Sequence, residues 1–364
     1  MESLNINQKT LLWLSAAGIS SNRITRLLDY FGSPQNLWDN FESEKYNLSF
    51  IASDKINKLS ESKNNLEEKI LERLNREKAE AVTFFDEDYP EKLRQINGSP
   101  YVLYYKGSLD CINDISIAVV GSRKSTDYGK WAAEKFTKEL SEMDVNIVSG
   151  LAVGIDAIAH KTALKYEAKT FGIIGCGINV VYPKKNLELF EQIADNNGAV
   201  ITEYYFDIQP IAFNFHDRNR IISGLSDGVL VIEAQEKSGT LITVGHAANQ
   251  GREIFAVPGN INSLYSKGTN ALIRDGAKIT ASVNDIVEEI SELKKRIKRQ
   301  NIYDTAELTD DELKIINCIN RGINTIEDLK QEVKMDIGGL LGNITLLEMK
   351  GAIRVCGNNI MLNI

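Results

Sequence analysis

The spacing of apolar and polar positions divides the chain into three stretches. Up to about residue 78, apolar residues recur at helical intervals. One predicted helix covers Gln8 to Ala17, a second Asn22 to Phe31, and a third opens at Gln35; Gly18-Ile19-Ser20-Ser21 and Gly32-Ser33-Pro34 separate them. Helix, short glycine turn, helix is the outline of a sterile-alpha-motif or helix-hairpin-helix module. Residues 53–78 read as charged, solvated helix. The apolar run Leu11 to Ile19 resembles an export signal, but no basic segment leads it and the pattern resumes at Ile24 with helical spacing. Buried helices are expected there.

From 79 to 293 the period changes. Short apolar runs at Ile115–Gly121, Val145–Ser149, Thr170–Gly175, Ala199–Glu203, Gly228–Glu233, Glu253–Val257 and Lys278–Thr280 alternate with helical patterns at Tyr128–Met143, Gly154–Tyr166, Leu187–Asn196, Asn219–Leu225, Thr240–Gln250 and Asn270–Asp275. Strands apolar on both faces and alternating with helices predict an α/β fold, a doubly wound, mostly parallel sheet. Ligands of such sheets bind at the carboxyl ends of the strands.

Residues 294–308 open with KKRIKR and read as a basic and polar linker. In 309–364, Thr309 with Glu312 three residues on makes a capping box. Helical patterns at Thr325–Val333 and Gly338–Lys350 and a hairpin-like end at Ile353–Leu362 complete a winged-helix-like domain. Its third helix carries Lys350 as its one base, which suits protein contact better than base readout.

Composition narrows the chemistry. Across 364 residues, 42 basic side chains face 50 acidic ones, so any basic surface must be local. The four cysteines form no CxxC pair and the three histidines no HExxH, so neither a metal nor a disulfide framework is expected, and a reducing cytoplasm suits the chain. No apolar run reaches the length of a membrane span.

Candidate binding residues cluster where strands end. Gly121-Ser122-Arg123 turns the chain at a strand tip before a helix, and Arg123 offers a fork to a phosphate. Ser149-Gly150-Leu-Ala-Val-Gly154-Ile-Asp156 makes a second turn, in which His160 reads as structural. A third, Gly175-Cys-Gly177-Ile-Asn-Val180, starts like a dinucleotide fingerprint but has Val180 at the third glycine position. Phe213-Asn-Phe215-His-Asp-Arg218-Asn219-Arg220 places two aromatics before two arginines, a pattern that serves base stacking and phosphate contact at the mouth of a helix. Lys237-Ser238-Gly239-Thr240 offers amides, hydroxyls and a charge at another helix start.

Taken in order, Tyr89-Pro90, VVGSR, SGLAVGIDAIAH, GCGINVVYPKKN, ITEY, FHDRNRIISGLSDGVLVIEA, KSGTLIT, FAVPGN and GTNALIRDGA resemble the DNA-processing protein A family (DprA, also called Smf). The resemblance implies an extended Rossmann fold that forms a homodimer, has no cofactor and is not an enzyme. It also implies binding of single-stranded DNA, protection of incoming strands in natural transformation, and loading of the RecA recombinase. By position it implies that Arg123 grips a phosphate, Phe215 lies against a base, Arg218 and Arg220 line or brace the pocket, and Lys184 or Lys185 extends the rim. It puts self-association at Thr269–Ile279, with Thr269, Ile273 and Ile279 as candidates. The chain departs from the usual pattern at His216-Asp217, and Asp217 is expected to weaken the field beside Arg218. The competing reading is a LOG-like nucleotide phosphoribohydrolase. Ser238-Gly239-Thr240 matches part of that group's phosphate turn, but Ile242 and Thr243 replace its glutamates and only Glu233 is left as a carboxylate. A nicotinamide dehydrogenase rests on the broken GCGINV fingerprint alone.

Overall fold

Five helices open the chain in the computed structural model, which describes residues 4–63, 66–297, 308–333, 335–350, 352–356 and 359–362. They are α1 (Ile6–Ala16), α2 (Ser21–Phe31), α3 (Pro34–Glu44), α4 (Ser53–Ser62) and α5 (Leu66–Glu77). Asn5 and Gln8 form a capping box at the start of α1, and Gly32, at φ +79°, ends α2 in the left-handed conformation. The apolar run of α1 is core: Trp13 is fully buried, stacks edge-on with Trp38 and Phe41, and donates Nε1–H to the Leu59 carbonyl. The 53–78 region is not merely solvated, since Leu59, Leu66, Ile70 and Leu74 are buried against α1 and the sheet.

The strands follow from residue 80: β1 (Glu80–Thr83), β2 (Val102–Gly107), β3 (Ser116–Val120), β4 (Asn146–Ser149), β5 (Thr170–Ile173), β6 (Ala199–Thr202), β7 (Gly228–Val231), β8 (Glu253–Ala256) and β9 (Lys278–Ile279). The helices among them are α6 (Glu91–Arg94), α7 (Asp127–Glu142), α8 (Ile155–Lys165), α9 (Leu187–Asp195), α10 (Ala212–Gly224), α11 (Thr240–Asn249), α12 (Lys267–Arg274) and α13 (Asn284–Glu289). One sheet holds all nine strands in the order β1-β2-β6-β5-β4-β3-β7-β8-β9. Pairing is parallel from β6 through β9 and antiparallel where β2 joins β6 and β1 joins β2. The seven predicted strands are all present. The two antiparallel strands, β1 and β2, were not anticipated, because EAVT and VLYYKG mix polar with apolar residues.

Winding proceeds from β3 through β4 and β5 to β6 on one side, and from β7 through β8 to β9 on the other. The reversal falls between β3 and β7, which opens a crevice at their carboxyl ends. The helical module and the sheet share a core: Tyr104 of β2 packs with Trp13 and Leu14 and donates its hydroxyl to Ser15 Oγ at 3.0 Å. Residues 78–79 therefore mark a change of secondary structure within one compact unit, Met1–Ile290.

The second unit, Ser291–Ile364, is small. Residues 291–297 are helical, so 294–297 of the expected linker are helix; 298–307 lie outside the described residues. Helices Asp310–Asn320, Ile326–Val333 and Ile337–Met349 pack with the hairpin Ile353–Cys356 and Asn359–Leu362 around Ile315, Leu329, Leu340, Leu347 and Ile360. The Thr309–Glu312 capping box is present. Lys350, itself exposed, reaches the buried Glu312 carboxylate at 2.8 Å, and Ile337, Leu341 and Met349 of the third helix are exposed.

Candidate nucleic-acid interface

The crevice between β3 and β7 widens into a cleft of about 690 Å³. The turn after β3 supplies Gly121, Ser122, Arg123 and Lys124; the segment after β7 supplies Gln235, Ser238, Gly239 and Thr240; α10 supplies Phe215, Arg218, Asn219 and Ile222; Tyr182 closes one side. Three cations face it against one carboxylate, Asp156. A positive field thus comes from placement on a chain that is acidic as a whole.

Packing at glycines draws these turns together. A Cβ on Gly154, at φ +85°, would lie 2.3 Å from the Ser122 carbonyl oxygen, so the two turns touch backbone to backbone. A Cβ on Gly150 would meet the Arg218 guanidinium at 2.7 Å and Asp156 Oδ2 at 2.7 Å. That space holds Arg218. Its Nη1 donates to the carbonyls of Gly150, at 2.8 Å, and Ile173, while its Nε has no partner among the described residues. Burial lowers the guanidinium to about 10, leaving it charged at neutral pH. The same burial raises the Asp156 carboxyl, which the charge of Arg218 opposes.

Phe215 is half-buried in the cleft wall. The Arg123 and Arg218 guanidinium carbons each lie 5.9 Å from its ring centroid, and the Tyr182 ring lies 5.4 Å away. Arg123 is exposed and makes no hydrogen bond or ion pair among the described residues. The helix start beside it is already satisfied: Thr126 caps Gly129, and Glu233 accepts from the Thr126 amide at 3.0 Å and from its hydroxyl at 2.5 Å. Attraction at this turn comes from Arg123 and Lys124 rather than from free amides.

Most of the residues expected from sequence do meet here. Gly121, Ser122, Arg123, Phe215, Arg218, Asn219, Ser238, Gly239 and Thr240 line one cavity. Lys184, Lys185 and Lys237 are exposed but do not line it. Arg220 belongs elsewhere, bonded to Glu203 at 2.5 Å on the other side of α10. The predicted helix at Asn219 begins at Ala212, so Phe213 lies in the first turn of α10 while Phe215 and the two arginines lie further along it. Asp217 faces away from the cleft, 3.6 Å from Arg220, and so does not oppose Arg218 there. Sequence reasoning passed over Tyr182, Lys124 and Gln235; the one signal for Tyr182 was its place before Pro183 and the two lysines.

Other expectations resolve by geometry. His160 is fully buried with Nδ1 2.7 Å from Thr170 Oγ1, a structural position. The GCGINV turn opens no helix; Gly177 packs on the backbone of Tyr205 to Asp207, which removes the dinucleotide reading. Glu233, the carboxylate the hydrolase reading relied on, is buried against Thr126 and does not line the cleft; the carboxylate that does is Asp156. Of the proposed self-association residues, Thr269 is buried and donates its hydroxyl to the Ser266 carbonyl, so it is no surface contact. Ile273 is partly exposed and Ile279, on edge strand β9, is 51% exposed. No described helix is long and apolar enough to cross a membrane.

Comparison with known proteins bears on the same region. The family model for DNA recombination-mediator protein A matches residues 80–291. DNA processing protein DprA of Streptococcus pneumoniae is 43% identical over 213 residues, covering 58% of this chain and 75% of that protein. The Bacillus subtilis DprA is 37% identical over 252 residues, covering 67% and 84%. Among solved structures, S. pneumoniae DprA superimposes with a TM-score of 0.67 at 34% identity over 80% of this chain and 99% of that one. DNA processing protein A from Helicobacter pylori, described for its single-stranded DNA binding mode, gives 0.53 at 30% identity over 59% and 97%. The matched region holds every strand that builds the cleft, and this chain belongs to the DNA recombination-mediator protein A (DprA/Smf) family.

Proposed function

We propose that the cleft between β3 and β7 binds single-stranded DNA without strong sequence preference, and that the chain is a binding protein rather than an enzyme. The observation that carries this reading is the setting of Phe215, with Tyr182 on one side and the guanidinium groups of Arg123 and Arg218 near its ring. A ring beside cations serves an unpaired base and its phosphates together, and any base has a face to stack. Duplex DNA, whose bases already stack, gains less. The relatives point the same way, and the H. pylori protein is described as binding single strands. On this reading the chain works in the cytoplasm as a homodimer, shields incoming strands during transformation and passes them to RecA. The exposed edge at Ile279 is the surface for self-association.

A titration with labelled oligo-dT at two salt concentrations, with duplex as competitor, tests the core of it. Affinity should fall steeply with salt as counterions are released, and duplex should compete poorly. Equal competition by duplex would rule the reading out.

A further inference from the structure

A second cavity, of about 1000 Å³, lies on the opposite face of α10, between the helical module and the sheet. We propose that it is a second subsite for the same single strand, which crosses the first turn of α10 on leaving the cleft and stacks a base on Phe213. This inference rests on the cleft reading above.

The two cavities share a rim. Along the segment entering α10, Pro210 and Ala212 line the cleft while Ile211, Phe213 and Asn214 line the groove. Phe213 and Phe215 are two residues apart and so point to opposite sides of one helix. Phe213 is 71% exposed, an aromatic face left in water at the groove's edge. The rim offers the start of a 13-residue helix whose N-cap, Ile211, has no side-chain oxygen to cap it.

The charges of the groove favour an anion. Its lining carries Lys55, Lys58 and Arg220 against Glu203 and Asp217. Both carboxylates are engaged by Arg220, at 2.5 and 3.6 Å. Lys55 donates to the Ala17 carbonyl, and Lys58 has no hydrogen bond or ion pair among the described residues. Desolvation first, and then the charge of Lys55, lowers the Lys58 ammonium. The Arg220 side chain is 91% buried by its 9% exposure, and its Nη1 is unpartnered in the groove wall. One positive charge in excess, on a lining whose two ammonium groups pair with no carboxylate among the described residues, beside an open aromatic ring matches a phosphodiester carrying a base.

The test measures binding of oligo-dT of stepwise increasing length by the wild-type chain and by Phe213→Ala, Lys58→Glu and Arg123→Ala variants. Phe213 and Lys58 are exposed, and matched melting curves check that these variants fold. Wild-type affinity should keep rising beyond the length the cleft spans. Phe213→Ala and Lys58→Glu should stop that rise early and lose about five- to tenfold on long strands. Lys58→Glu should also flatten the salt dependence. If both bind every length like the wild type while Arg123→Ala weakens all of them, the groove is not part of the path and the cleft reading stands. If Arg123→Ala also changes nothing, the cleft reading fails with it.

Discussion

Arg218 and Arg220 stand two residues apart on α10 and serve different cavities: Arg218 lines the cleft under Phe215, and Arg220 holds Glu203 in the groove behind it. A helix turns about 200° in two residues, so the pair cannot share a face. One helix thus forms a wall of both cavities, and the roles of its two arginines separate.

That separation is testable. Arg123→Ala and Phe215→Ala should each weaken oligo-dT binding by about 1–3 kcal/mol with little change in melting temperature. Arg220→Ala should instead strand Glu203 inside and lower stability by about 3–5 kcal/mol. Fluorescence anisotropy beside thermal melts distinguishes the two. A stable Arg220→Ala protein would contradict the assignment.

Acidification should expose the burial of His160. Inside the fold its imidazole is pulled down to about 3, chiefly by desolvation, whereas an unfolded histidine titrates near 6.5. Between these values the unfolded chain holds the extra proton, so this contribution is full above pH 6.5 and is lost as pH falls toward 3. Denaturant melts at pH 7.5 and 5.5 should show a smaller loss for His160→Gln than for the wild type. Identical losses would mean that another group sets the slope.

Glu233 should behave as a structural residue. Glu233→Ala removes the acceptor of the Thr126 amide and hydroxyl and should cost about 1–3 kcal/mol of stability. The wild-type chain incubated with AMP should yield no adenine. Adenine release that Glu233→Ala abolishes would restore the hydrolase reading.

The open edge of the sheet gives a further check. β9 pairs with β8 on one side only, and Ile279 is exposed on it. A charge there blunts an edge, so, on the proposed self-association, Ile279→Lys should lower the mass seen in light scattering from dimer to monomer while the melt is retained. An unchanged mass would place self-association elsewhere.

Much of this site was legible in the chain. GSR, SGLAVG and KSGT fall at the ends of apolar runs, and a parallel sheet gathers such ends on one side. The extent of α10 was not legible. Phe-Asn-Phe-His-Asp has modest helix propensity, and the helix buries Asn214, Arg218 and Asn219 along with Ile221 and Ile222, so no amphipathic stripe announces it. Packing on both sides stabilises it instead. Antiparallel strands β1 and β2 were hidden for a related reason, their alternation being blurred by tyrosines and a lysine. Tyr182 was missed because its contact with Phe215 spans 33 positions that only the fold brings together.

The order of strands and helices, the capping boxes and the residues at strand tips were written in local sequence, because period, propensity and turn chemistry act over a few neighbours. Which tips adjoin, which arginine enters the cleft, where Asp217 points and whether Glu233 meets the cleft were decided by tertiary structure. Those outcomes depend on the reversal of winding at β3 and on the rotation of α10 against the sheet. Both arise from burying apolar faces across the whole unit, and no short stretch of chain encodes either alone.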